Sequence, residues 1–149
     1  MLSSVIFWII FSKDLFWSSD NVFAFNSGTV PANNSVSLDF NALNASNLGS
    51  DYTFNFDKVK GITINNQETG VGSILTINAT GTDGYTGIFN GETGNYKVNP
   101  YGSFVYSNFY GDNEVSSSNR YLHFVNNSTG DDTTSGNINY SYVLIGVTG

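Results

Sequence analysis

Residues 137–147 read NINYSYVLIGV, and their alternation decides the fold class. Ile138, Tyr140, Tyr142 and Leu144 fall on one parity, and Val143, Ile145 and Val147 fall on the other. Successive side chains of a strand point to opposite faces, so this period of two predicts a strand with a buried face. β-branched and aromatic residues suit a pleated, half-buried surface.

The same period recurs upstream. SVSLDFN (35–41) aligns Val36, Leu38 and Phe40, and DYTFNFD (51–57) aligns Tyr52, Phe54 and Phe56. VKGITIN (59–65) carries Val59, Ile62 and Ile64, with Gly61 marking an expected bulge. SILTINA (73–79) offers Leu75 and Ile77, while YTGIF (85–89) and NYKVN (95–99) are shorter strand candidates. GSFVYSNF (102–109) sets Phe104 and Tyr106 against Val105. RYLHFVN (120–126) sets Leu122 and Phe124 against Tyr121, His123 and Val125. Gly- and Asn-rich turns separate these segments, including Asn65-Asn66, Asn99-Pro100 and Gly130 to Gly136. ALNASNL (42–48) suits a single helical turn. The expectation is an all-β chain: one antiparallel β-sandwich of eight or nine strands, jelly-roll or immunoglobulin-like.

Composition agrees. The chain has 149 residues, enough for one domain with its own core. Only 11% of residues are charged, while 15% are aromatic. No Cys is present, which excludes disulfides and thiolate metal sites. The net charge is −7, and the basic residues are Lys13, Lys58, Lys60, Lys97 and Arg120. Nucleic-acid binding draws on Lys and Arg against phosphate, so this balance argues against a nucleic-acid partner. It argues equally against an anionic membrane surface.

The N-terminal region stands apart. VIFWIIF (5–11) is apolar without interruption, and Leu15, Phe16, Trp17, Val22, Phe23 and Phe25 follow. The run is too short for a membrane-spanning helix, which needs about 20 residues. Two readings stay open for residues 1–28. One is an apolar arm that packs on this domain or on a neighbouring copy, with Ile6, Trp8, Ile9, Phe16 and Trp17 as the assembly interface. The other is a signal-like segment with Val22-Phe23-Ala24 as its cleavage pattern, although MLSS carries no Lys or Arg. Residues 29–149 are expected to form the sandwich.

Groups suited to catalysis are sparse. His123 is the sole imidazole, and with no Cys or second His it has no partner for a His-based zinc site or a catalytic triad. A structural role is expected for it. The acidic residues cluster in turns and on polar strand faces, and no pair of carboxylates is singled out as a glycosidase would require. Asp131-Asp132 and Asp112 sit in oxygen-rich loops that suit Ca²⁺, but neither loop has a D-x-D-x-D-G spacing. Solvated turns and no cofactor are therefore expected. Asn-x-Ser/Thr sequons, as at Asn126 and Asn139, are expected by chance in so Asn-rich a chain. The central Tyr residues carry more weight. Tyr101, Tyr106 and Tyr110 are expected to be exposed contacts, because a Tyr combines large contact area with a polar tip.

The order of segments also carries a resemblance. VPANNSVSLDFNALNAS opens the series, followed by FDKVKGITINNQ, SILTINATG, GIFNG, NYKVNPYGSFVY, RYLHFVNNSTG and INYSYVLIGVTG. This order resembles a group of small all-β auxiliary virion proteins of double-stranded-DNA bacteriophages. The matching positions are Val59 to Asn65, Leu75 to Ile77, Val98 to Phe104, Leu122 to Asn126 and Tyr142 to Gly146. The resemblance spans residues 29–149, and residues 1–25 have no counterpart in that group. It implies a non-enzymatic capsid decoration or minor capsid protein, located in the virion. Its partners would be copies of itself and a major capsid or shell protein. The alternative is an extracellular or cell-surface domain: a glycan-binding module, or a fibre subunit that donates its N-terminal segment as a strand.

Overall fold

A computed structural model of the chain describes residues 21–47, 50–89, 94–108, 113–127 and 136–148. The protein is all-β, and every strand pair is antiparallel. The strands are β1 (Asn21–Val30), β2 (Asn34–Asp39), β3 (Leu43–Asn47), β4 (Ser50–Phe54), β5 (Phe56–Asn66), β6 (Leu75–Asn78), β7 (Asn95–Val98), β8 (Ser103–Ser107), β9 (Tyr121–Asn126) and β10 (Ile138–Thr148). One four-stranded sheet has the order β1-β10-β5-β8, a second has the order β2-β9-β6-β7, and β3-β4 form a hairpin of their own.

Both sheets feed one core. Ala24, Leu144, Ile62 and Ile64 come from the first sheet, and Leu38, Leu122, Phe124 and Ile77 from the second. Two ring pairs join the sheets: Phe124 on β9 with Tyr140 on β10, and Tyr96 on β7 with Phe104 on β8. Burial follows the alternation read from sequence in β9, where Leu122 and Phe124 are fully buried, and in β10, where Ile138, Tyr140, Tyr142 and Leu144 are buried. Gly61 lies beside a bulge: Gly61 opposes Ile145 and Val59 opposes Gly146, leaving Lys60 as the additional residue.

Four expectations are corrected. Residues 42–48 contain strand β3 in place of a helical turn, because Leu43 and Ala45 alternate into the core and Asn44 accepts a hydrogen bond from Thr53 Oγ1 across the hairpin. Residues 85–89 are not a strand, since Thr86–Phe89 forms a short 3₁₀ helix. The chain there turns over the fully buried Tyr85, and Asn119 Oδ1 accepts from the Thr86 amide. The segment 51–57 is divided at Asn55 into β4 and the start of β5, so Tyr52 stays exposed while Phe56 is buried. Residues 21–28, grouped with the arm on sequence, lie within β1, which pairs with β10 from Asn21↔Val147 to Val30↔Ile138. The described residues thus hold ten strands where eight or nine were expected.

Candidate functional site

A concave feature of the described surface lies between the 3₁₀ helix and the end of β8. It encloses about 590 Å³, with Phe89, Tyr106, Asn108, Asn113 and Glu114 among its lining residues. That volume suits a small ligand. Its polar groups are largely engaged with one another. Tyr106 donates its hydroxyl hydrogen to the Gly87 carbonyl at 3.1 Å and accepts from Asn113 Nδ2 at 2.6 Å. The Asn113 carbonyl accepts from the Tyr85 hydroxyl at 3.0 Å. Asn119 binds the Thr86 amide with Oδ1 and donates to the Glu114 carbonyl with Nδ2. Burial, with the neighbouring Tyr106 second, raises the Tyr85 phenol well above its ordinary range, so it acts as a fixed donor. Glu114 is the one carboxylate among the described lining residues. The arrangement offers two aromatic rings, amide groups and a single acid, which suits recognition of a neutral polar molecule better than paired acid–base chemistry.

The outer face of the β1-β10-β5-β8 sheet is the second feature. Residues directly opposite in antiparallel strands share a face. One row across the sheet runs Phe25–Val143–Thr63–Val105, and the next runs Phe23–Ile145–Gly61–Ser107. Phe25 is 43% exposed, Val143 39% and Val105 65%, so that row is accessible, whereas Ile145 in the next row is buried. The adjoining row, Ser27–Ser141–Asn65–Ser103, is polar and bonded within itself, with Ser103 Oγ donating to Asn65 Oδ1 at 2.6 Å. Thr29 Oγ1 donates to Asn139 Oδ1 one row further on.

Ile6, Trp8, Ile9, Phe16, Trp17 and Tyr110 lie outside the described residues, as do Asp112, Asp131 and Asp132. Tyr101 is 75% exposed in the β7–β8 turn, where its φ of 58° is unusual for a residue with a side chain. Tyr106 is not the exposed contact expected of it. It shares the inward parity of Phe104, is half-buried, and spends its hydroxyl on the cavity wall. His123 has a structural place: Nδ1 lies 2.8 Å from Ser37 Oγ on β2, and Nε2 lies 3.0 Å from the Thr80 carbonyl. A carbonyl only accepts, so Nε2 carries hydrogen, and in the neutral ring Nδ1 accepts from Ser37. Asn126 is fully buried and donates to the Val30 and Gly136 carbonyls, so its sequon does not mark a surface position. Among the described residues no three acidic, His or Cys side chains gather as a metal site, and no helix is long and apolar enough to cross a membrane.

Sequence reasoning missed the cavity, because its walls come from three separated segments. It also grouped Phe23 and Phe25 with the arm when they face outward from a strand. Comparison with known protein families, curated proteins and solved structures finds no match.

Proposed function

We propose that the chain is a non-enzymatic virion structural protein, a capsid-associated decoration or minor capsid component, built as a jelly-roll sandwich and assembling through protein–protein contacts. The observation that carries this reading is the strand order. With the β3–β4 hairpin set aside, eight strands remain, and they pair first with eighth, second with seventh, third with sixth and fourth with fifth: β1 with β10, β2 with β9, β5 with β8 and β6 with β7. A long hairpin of four such pairs, wound on itself into two sheets, is a jelly roll, the architecture of many capsid domains. The fold alone does not select a function, since lectins share it. Three further observations favour the particle: the resemblance across residues 29–149, the low content of charge, and an accessible, largely apolar row on a sheet face, of the kind that marks interaction sites. Partners on this reading are further copies of the chain and a shell protein.

An antibody to the purified chain should label intact particles from the source. Labelling of cell surfaces alone would contradict the proposal. The cavity beside Phe89 and Tyr106 favours one second reading, a secreted glycan-binding domain. Specific, saturable glycan binding that is lost in Tyr106→Ala would support that alternative. The cleavage expected for secretion would fall after Ala24, a fully buried residue of β1, and would strip residues 21–24 from their pairing with 144–147.

A further inference from the structure

We propose that β8 is a self-pairing edge: two copies of the chain meet antiparallel along Ser103–Ser107, with Val105 opposite Val105 of the second copy on a two-fold axis. Their β1-β10-β5-β8 sheets then become one. β8 ends its sheet, with β5 as its strand neighbour among the described residues. Two bonds fix the phase of that ladder. The Asn66 amide donates to the Gly102 carbonyl at 3.0 Å, and the Asn108 amide donates to the Lys60 carbonyl at 2.8 Å. Between them the register runs Ile64↔Phe104 and Ile62↔Tyr106 without a shift. Bonded and non-bonded pairs alternate in an antiparallel ladder. Residues 102, 104, 106 and 108 therefore bond to β5, and Ser103, Val105 and Ser107 turn both backbone groups to the free edge. Among the described residues nothing on the backbone takes them up.

The sequence of the strand selects the occupant. Ser-Phe-Val-Tyr-Ser reads alike in both directions by residue type, centred on Val105. Antiparallel pairing about that centre sets Ser103 against Ser107, Val105 against Val105 and Phe104 against Tyr106. Every residue then meets its own kind on its own face of the sheet, as a two-fold contact requires. The bonding phase agrees, because Ser103, Val105 and Ser107 offer the donors and acceptors that the same three residues of a second copy need. The other sheet edges carry features that discourage such pairing. β7 holds Lys97, β2 ends at the Asp39–Arg120 ion pair, and β1 lies beside β3, where Asn26 Nδ2 donates to the Asn44 carbonyl. β8 has no charge, no Pro and no bulge, and its Val105 is 65% exposed. A five-residue edge is small against the roughly 1,000 Å² of a stable interface, so the pairing is weak and rises with concentration. It uses the strand edge rather than the sheet face, and it holds for the chain in solution whether or not the chain belongs to a particle.

Sedimentation equilibrium of the full chain, up to roughly 1 mM where a weak pair is populated, reads the association. The average mass should rise from one chain toward two. Val105→Lys should weaken the association by about tenfold or more, since like charges directly opposite repel, and Val105→Glu should do the same. An equal mixture of those two variants should recover it, because the two-fold axis sets position 105 against itself. Val105→Pro removes a donor that points away from β5, so it should keep the fold and lose the pairing. Val143→Lys, on the same sheet face but away from the edge, should associate as the parent does. Circular dichroism checks that each variant is folded. A parent that stays monomeric throughout would overturn the proposal and leave the edge to a strand of a different protein. Association that persists in folded Val105→Lys and Val105→Pro would also overturn it, as would an equal loss in Val143→Lys or a Lys–Glu mixture that fails to pair.

Discussion

Phe124 on β9 meets Tyr140 on β10 edge to face, with ring centroids 4.6 Å apart and planes at 75°. The two rings belong to different sheets, so this contact ties one layer to the other where both strands are buried. Edge-to-face geometry adds to the burial term because the positive ring edge meets the negative ring face.

Phe124→Ala should therefore destabilise the domain by about 3 to 5 kcal/mol, the range for a large aromatic removed from a packed core. Phe124→Leu should cost less, because volume is better kept. Urea unfolding followed by circular dichroism measures both. A loss under 1 kcal/mol for the Ala variant, on the same scale, would mean the sheets do not meet through this ring.

Asn66 is a buried amide at the end of β5. Its Nδ2 donates to the Ser73 carbonyl at 2.6 Å and to the Val98 carbonyl at 3.0 Å, and its Oδ1 accepts from the Glu68 amide. Asn66→Ala should cost about 1 to 3 kcal/mol, because it leaves buried carbonyls without a donor. Faster amide exchange at Glu68 should accompany the loss. Unchanged exchange there would contradict the assignment.

Gly146 sits at the β5–β10 bulge, where a Cβ would run into the Lys58 carbonyl and the Phe56 ring. The obstacles are backbone and a fully buried ring, so neither gives way readily. Gly146→Ala should destabilise by about 1 to 3 kcal/mol, as overpacking does. Thermal unfolding of the variant checks this, and a midpoint equal to the parent would count against the register at the bulge.

Burial pushes the Tyr142 phenol up to about 12 from 10.0, with Tyr140 as the next cause. Burial raises Tyr140 and Tyr85 as well. The folded state holds these protons more tightly than the unfolded state does. For Tyr142 that stabilisation is therefore complete below the unfolded value of 10.0 and is lost as pH rises through about 12. Tyr142 contributes a slope of about 1.4 kcal/mol per pH unit inside that window. The unfolding midpoint should be insensitive to these groups below pH 10 and fall above it. Tyr142→Phe should lessen the fall. A profile flat through that window would contradict the burial.

The strands that alternate cleanly were legible from sequence. In β10, residues 138–142 alternate Ile, Asn, Tyr, Ser, Tyr, and in β9 Leu122 and Phe124 are buried between half-buried neighbours, so the alternation there separates core from surface. β1 was not legible, because Phe23, Ala24 and Phe25 are apolar on both parities and follow an apolar run after only a short polar break at 18–21. β3 was hidden for the opposite reason: Leu43 and Ala45 are its only apolar residues among Asn and Ser, and pairing with β4 makes it a strand. The 3₁₀ helix at Thr86–Phe89 depends on Asn119, far along the chain. The strand order and the cavity are likewise products of distant pairing, as between Asn21 and Val147, and no local pattern encodes them.

On the virion reading, the protein resides in a particle. The most direct measurement is density-gradient fractionation of the source material, with mass spectrometry locating this chain across the gradient. Co-migration with a DNA-containing particle, with peptides from residues 1–24 present, is the result expected of a virion component. Recovery only as free or cell-bound protein beginning at Phe25 would contradict the virion reading, and would favour a secreted binding domain in its place.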